Sequence, residues 1–339
     1  MISDYYYYHC LNKKNQIVYK DIYDSIIEFE PKVTVRTVFS DIAEVQIIFD
    51  AIRKDNPFLY YWNTEQVKIT QISMINTEVD LYYYLSKDKY LEIDSKVKDN
   101  AKKILAMIKA KDELGIVTEL HDILCMNIIY DNNALSNGTK KIDELTAHTM
   151  LGVVLKKMAV CDGVAYAFKY LLNAMNIKCL VVTGQASSSL TMCNSRDSLG
   201  HAWNIVKINN ISSHFDLTWD IGLTNDGKIS YDYFSLDDNN ISSDHIWKDK
   251  TPICNDLSLN IFVKNNLVFK DKQSLHKYIE KQLKDGIKQV DIKIDINENI
   301  DGVADGIIDY LLNTSAGNKI KSFSQIINHE QNIIHYKFY

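Results

Sequence analysis

The chain has 339 residues, long enough for a sizeable core and roughly two to three domains. Apolar residues make up 46% and charged residues 24%, an ordinary balance for a soluble globular protein. A formal net charge of -6 without a basic cluster argues against nucleic acid as a partner. The start, Met1-Ile2-Ser3-Asp4-Tyr5, lacks the basic and apolar regions of a signal peptide. No apolar run is long enough to span a membrane, so no membrane partner is expected. The expected compartment is the cytoplasm, which would keep a reactive thiol reduced.

Residues 1–95 read as a small α+β region. Val18, Ile22, Ile26 and Phe29 recur at helical spacing before Pro31. Asp41 and Glu44 have capping-box spacing ahead of Val45, Ile48, Phe49 and Ile52. Val67 to Ile75 and Val79 to Leu85 read as strands. The Tyr5–Tyr8 and Tyr82–Tyr84 runs suit half-buried surfaces. Residues 96–257 form the expected core. It opens with two helices, one marked by Val97, Ala101, Ile104 and Ile108, the other by Ile116, Leu120, Leu124 and Ile128. Residues 131–145 read as an exposed loop, and a helical run from about Met150 to Lys157 follows. Residues 258–339 read as a smaller αβ appendage. Leu275, Ile279 and Leu283 mark a helix closed by Gly286, Val290 to Ile294 a strand, Val303 to Leu311 a helix, and Ile333–Tyr339 a strand.

The six cysteines (Cys10, Cys125, Cys161, Cys179, Cys193 and Cys254) are scattered, with no Cys-x-x-Cys pair. Zinc-ribbon, thioredoxin-like and disulfide-scaffold readings therefore fall away. Asp295-x-Asn297-x-Asn299-x-Asp301 begins like a calcium loop, but Ile300 stands where the turn needs Gly. No cofactor or metal is expected. Cys179 and Cys193 read as structural.

Cys161 opens a run in which Val164, Ala165, Phe168, Leu171, Leu172 and Met175 follow helical spacing. A thiol in the first turn of a buried helix faces free N–H groups and the positive end of the helix dipole, which favour the thiolate. Gly163 leaves room there for a substrate to approach the sulfur. Taken alone, such a cysteine is more often a structural one. Farther on, His201–Ile208 and His214–Trp219 alternate as strands around Asn209-Asn210, residues that tolerate the positive φ of a two-residue turn. A turn centred there pairs His201 with Thr218 and Trp203 with Asp216. His201 and Asp216 become diagonal neighbours, roughly 7–8 Å apart at the backbone and within side-chain reach. A slip of one residue would separate them onto opposite faces. The composition is that of a thiol acyl-transfer site: Cys161 attacks as thiolate, His201 carries the proton, and Asp216 orients the imidazole. Trp203 could roof the imidazole–carboxylate bond, or simply pack in the core.

These segments resemble the three motifs of the transglutaminase-like superfamily, in the family's order. The motifs are Ala159-Val160-Cys161-Asp162-Gly163-Val164-Ala165, His201-Ala202-Trp203-Asn204 and Phe215-Asp216-Leu217-Thr218-Trp219-Asp220. His121-Asp122, Tyr130-Asp131 and Asp244-His245 are similar to flanking segments of bacterial members. Val164 departs from the motif, which commonly has Tyr there, and could alter the cleft. The resemblance implies an α+β, papain-like core, with the Cys helix packed on an antiparallel sheet carrying His and Asp. It also implies that the substrate is a protein or peptide amide. Crosslinking, deamidation and hydrolysis remain open, as do a cysteine protease and a non-enzymatic interaction module on the same core. Relatives place a polar donor upstream of the Cys, and Tyr130 is the residue assigned here to assist the Cys161 N–H at an oxyanion. Nothing in the sequence sets the oligomeric state.

Overall fold

The computed structural model describes residues 5–136, 146–187, 199–315, 317 and 320–339. The chain begins with α1 (Tyr6–Cys10) and α2 (Lys13–Glu28). Asn12 caps α2, its side chain accepting from the Asn15 N–H, and Phe29 ends it with φ 61°. Strand β1 (Lys32–Val35) and helix α3 (Ile42–Asp55) follow. Asp41 caps α3, while Glu44 reaches back to the Ser40 N–H, one residue beyond the usual capping box. Strands β2 (Trp62–Gln71) and β3 (Thr77–Tyr83) complete a three-stranded sheet in the order β1-β3-β2.

Helices α4 (Lys87–Leu105) and α5 (Glu113–Asn127) are the two expected from periodicity. They lead into β4 (Ile129–Tyr130) and α6 (Asn132–Ser136). A short helix thus stands where a loop was expected, and the rest of that stretch lies outside the described residues. The helical run before Cys161 is a π-turn over Gly152–Lys156, ended by Lys157 at φ 58°. Strand β5 (Met158–Ala159) pairs in parallel with β4 and delivers the chain into α7 (Cys161–Ala174).

Helix α7 packs on a five-stranded antiparallel sheet in the order β10-β6-β7-β8-β9. Its strands are β6 (Lys178–Ala186), β7 (Leu199–Ile208), β8 (Ile211–Phe215), β9 (Phe234–Leu236) and β10 (His245–Trp247). The β7–β8 register is the one the Asn-Asn turn dictates: Ile208 faces Ile211 and Asn204 faces Phe215, with Asn209 at φ 48° and Asn210 at φ 72°. The second strand is shorter than expected. Pairing stops at Phe215, and α8 (Leu217–Leu223) begins with Asp216 as its cap, so Thr218 sits in a helix and does not face His201. This architecture is the expected α+β one: a cysteine-bearing helix on an antiparallel sheet. Helix α9 (Asp238–Ile241) precedes β10.

Apolar residues of α1–α5, α7, the three-stranded sheet and the five-stranded sheet form one continuous core, from Tyr6 to Cys254, with Tyr233, Leu236 and Ile241 in a small cluster of their own. Among its buried members are Ile22, Ile48, Leu120, Phe168 and Ile205. A separate core holds the last unit together. Helix α10 (Ile261–Lys264), whose Ile261 packs on the first core, leads into that unit, which contains β11 (Val268–Phe269), α11 (Lys272–Lys284), β12 (Gln289–Ile294), α12 (Ile300–Leu312), β13 (Phe323–Asn328) and β14 (Ile333–Phe338). Its sheet runs β11-β12-β14-β13. Gly286 after α11 has φ 80°, a left-handed conformation that explains the glycine. Asn299 of the calcium-like stretch caps α12, accepting from the Asp301 N–H. Among the described residues, no helix is long and apolar enough to cross a membrane.

Candidate active site

Cys161 is the first residue of α7, entered from extended Val160, which offers no side-chain cap. The Cys161 N–H has no intrahelical acceptor at that position. Behind it, Val164, Ala165, Phe168, Leu171 and Leu172 are buried against the sheet. Asn204 locks the helix in place. Its Nδ2 donates to the Ala165 and Leu180 carbonyls, each at 3.0 Å, joining α7 to β6 through β7. Two sequence expectations change here. A Cβ on Gly163 would lie 2.2 Å from the Ala147 carbonyl oxygen and 3.0 Å from that of Thr149. The glycine therefore admits the chain's own backbone, not a substrate. Val164 is buried in the core and does not shape a cleft.

His201 lies on β7 opposite Gly184 of β6, and Asp216 sits at the end of β8. His201 Nε2 is 2.6 Å from Asp216 Oδ2, with the carboxylate fully buried. The Cys161 side chain lies within hydrogen-bonding reach of the same imidazole and helps to raise its pKa. With Nε2 committed to Asp216, Nδ1 is the nitrogen left to the sulfur. Asp216 Oδ1 also accepts the Trp219 backbone N–H at 3.2 Å, so capping α8 fixes the carboxylate's direction. Trp203 stacks on His201 at 6.0 Å and 19°, and Trp219 packs on it at 5.6 Å. The Trp203 indole N–H donates to His214 Nδ1 at 3.0 Å, so the ring is held from behind. Gly184 matters for the same reason. A Cβ there would lie 2.2 Å from the Ile246 carbonyl oxygen and 2.9 Å from the Trp203 ring. Gly184→Ala is expected to destabilise the fold by about 1–3 kcal/mol through overpacking, measured by urea denaturation.

Burial alone would lower the His201 pKa, but the Asp216 charge and hydrogen bond, helped by Cys161, raise it from 6.5 to about 10. Burial likewise disfavours the Asp216 carboxylate, yet His201 and His245 hold its pKa below the ordinary value. The sign for stability follows from linkage. His201 contributes fully below its unfolded value of 6.5, and that contribution is lost as pH rises through about 10. Asp216 contributes above its unfolded value of 3.8 and loses that contribution in acid. Cys161→Ala removes two of the influences that raise His201. NMR titration of the imidazole is expected to show a lower pKa in that variant than in the wild type.

Tyr130 pairs with Ala159 across β4–β5, which brings its backbone within two residues of Cys161 along the paired strand. His245 is the residue that sequence reasoning left without a role. It is fully buried, with Nε2 3.0 Å from Asp216 Oδ2 and Nδ1 2.5 Å from Asp244 Oδ1. The adjacent Asp244-His245 pair was the one signal for it. Asn204 and Trp219 lie inside the motifs but their roles were not assigned, and Gly184 carried no signal, because its neighbours Ile246 and Trp203 come from other strands.

Among the described residues, two groups place three ligand-type atoms within 4.8 Å of one another: His201, Asp216 and His245, and His214, Asp238 and Cys254. In the first, both imidazoles spend Nε2 on the same carboxylate oxygen. In the second, His214 is bound at both nitrogens, and burial pushes the Cys254 thiol pKa up. Hydrogen bonding accounts for these atoms without an ion. A cavity of about 160 Å³ lies on the Asp162 side of α7, lined by Arg53, Tyr60, Trp62, His148 and Tyr166 among others. Asp162 lies there 3.0 Å from His148 Nδ1 and 3.6 Å from Arg53, whose guanidinium offsets the carboxylate. Cys179 is buried, and Cys193 lies outside the described residues.

A thiol at a helix start, an imidazole on the adjoining sheet and a buried carboxylate behind it thus stand together. Residues 101–217 match the family model of the transglutaminase-like superfamily. The match takes in Cys161, His201 and Asp216. A solved TGase structure is similar at 14% identity and TM-score 0.32, over 55% of this chain and 50% of that one. A candidate cysteine protease from Cytophaga hutchinsonii is similar at 16% identity and TM-score 0.27, over 46% of this chain and 63% of that one. The aligned part thus spans half of the first structure and under two thirds of the second. No curated protein matches the sequence.

Proposed function

We propose that the protein catalyses thiol-dependent acyl transfer on a protein or peptide amide, with Cys161, His201 and Asp216 as a catalytic triad. The observation that carries this reading is the 2.6 Å bond from His201 Nε2 to Asp216 Oδ2, on an imidazole that Cys161 also engages. The Cys161 thiolate adds to the amide carbonyl carbon, forming the S–C bond and an oxyanion. The free Cys161 N–H is one donor to that oxyanion, and Tyr130 is the proposed second. Collapse breaks the C–N bond as His201 delivers its proton to the leaving amine. An incoming amine or water then gives its proton to His201 and attacks the thioester, which releases the thiolate. Asp216 holds the imidazole in the tautomer this cycle requires. Trp203 and Trp219 cover the imidazole–carboxylate bond, which strengthens it by excluding water.

The test is incubation with a glutamine-bearing protein and a labelled primary amine. Amine incorporation supports crosslinking, glutamate formation supports deamidation, and new chain ends support proteolysis. Cys161→Ala abolishes whichever occurs. The reading also predicts that iodoacetamide labels Cys161 at neutral pH much faster than Cys179, whose pKa burial pushes up to about 12. Equal rates, read by mass spectrometry, would contradict an activated thiol.

A further inference from the structure

We propose that His245 is a positioning residue for the reaction at Cys161, and that the C-terminal unit completes this arrangement through Gln331 and Asn328. The inference rests on the triad reading above. His245 bridges the two carboxyl groups, with Nε2 3.0 Å from Asp216 Oδ2 and Nδ1 2.5 Å from Asp244 Oδ1. Asp216 Oδ2 therefore receives two imidazoles: His201 at 2.6 Å on the side of the thiol, and His245 at 3.0 Å from behind. The cap bond to Trp219 fixes its other oxygen. Without His245 the carboxylate could turn about its side-chain bonds, and the His201 ring would turn with it.

The far end of this chain of bonds is closed by residues from another part of the sequence. Asp244 Oδ2 accepts from the Tyr233 hydroxyl at 2.8 Å and from Gln331 Nε2 at 3.2 Å. Asn328 Nδ2 donates to the Tyr233 hydroxyl at 3.4 Å and to Asp232 at 2.9 Å, and its Oδ1 accepts the Gln331 N–H at 3.1 Å. Gln331 Nε2 also reaches the Asn240 carbonyl and the Ser243 hydroxyl. Asn328 and Gln331 are buried and lie in the connection between β13 and β14, or at its edge. His335 on β14 adds a second tie, with Nε2 3.1 Å from Asp232. A connected set of buried polar groups thus runs from the C-terminal sheet to the imidazole beside Cys161. Gln331 Oε1 is the network's one buried side-chain atom without a partner, and the hydrogen bonds of the other groups rigidify what they hold.

The test compares two substitutions that differ in which donor they keep. A glutamine amide nitrogen reaches the place of histidine Nε2, and an asparagine amide nitrogen reaches the place of Nδ1. His245→Gln keeps the donor to Asp216, whereas His245→Asn keeps only the donor to Asp244. In the full chain, the rate and pH profile of Cys161 alkylation by iodoacetamide are expected to stay near wild type in His245→Gln. They are expected to fall by on the order of tenfold in His245→Asn, as for outer partners of a functional imidazole. A role confined to packing would not rank the two this way, and equal rates would overturn the proposal. Gln331→Met, remote from Cys161 and close to isosteric, is expected to slow alkylation in the same direction with a cooperative melting transition retained. It decides the matter should His245→Asn fail to fold, since a wild-type rate in Gln331→Met removes the C-terminal unit from the site. Asp216→Ala and His201→Ala separate the two levels of inference. If they alkylate as fast as wild type, the triad reading fails and this proposal with it. If they are slow while the His245 and Gln331 variants are not, only this proposal fails.

Discussion

Asp216→Asn is expected to slow acyl transfer by about 10³–10⁴-fold while leaving the protein folded, the size of effect found when a triad carboxylate becomes an amide. The reason lies in what surrounds the side chain. Asp216 Oδ1 accepts the Trp219 N–H, and Oδ2 accepts both His201 Nε2 and His245 Nε2. An asparagine that keeps the cap presents its NH₂ to the two imidazoles. Each imidazole must then turn a lone pair toward position 216. His201 would carry its proton on Nδ1, the nitrogen left to Cys161, and could not accept the thiol proton. An asparagine that flips keeps an acceptor toward the imidazoles and loses the cap, at a cost of about 1 kcal/mol of stability. In both cases kcat falls far more than stability does. Rates of labelled-amine incorporation and of peptide cleavage, set beside urea unfolding, check this. A variant with near-wild-type turnover would remove Asp216 from the mechanism.

Trp203→Ala is expected to lower stability by about 3–5 kcal/mol, the largest effect of any single truncation near the site. Trp203 is among the largest fully buried side chains and is 1% exposed. Its ring packs against His201, His214, His245 and Trp247, and its N–H satisfies His214 Nδ1. Truncation therefore opens a cavity and orphans a buried acceptor together. Trp203→Phe keeps most of the volume but not the donor, so it separates the two terms. It is expected to lose less stability than Trp203→Ala, with the remaining loss assigned to His214. Urea denaturation of both variants provides the measurement, and a loss below about 1 kcal/mol for Trp203→Ala would contradict the packing described.

Much of the local structure was legible because the signals were local. Helical spacing at Val164, Ala165, Phe168 and Leu171 marks α7, and Asp41 and Glu44 mark the start of α3. The pair Asn209-Asn210 carries the β7–β8 register, because only residues tolerant of positive φ close so tight a turn. The same reasoning overran at Thr218. The alternation of His214–Trp219 suits a strand, but the Asp216 side chain caps a helix there. A capping residue and a strand residue look alike until the next turn has somewhere to pack. Gly163 was read as an opening for substrate, because nothing local announces that Ala147–Thr149 folds over it.

What the sequence by itself determined was the chemistry available: a thiol at the head of a buried helix, and an imidazole and a carboxylate on either side of a turn with one permitted register. Those are properties of neighbours along the chain, held by backbone geometry. The tertiary structure alone decided who meets across long distances. It set Gly184 opposite His201, swung His245 behind Asp216, and brought Gln331 and Asn328 from the last sheet to Asp244. Hydrogen bonds between buried polar groups are fixed by how separate elements pack, and no periodicity or spacing in the chain encodes that packing on its own.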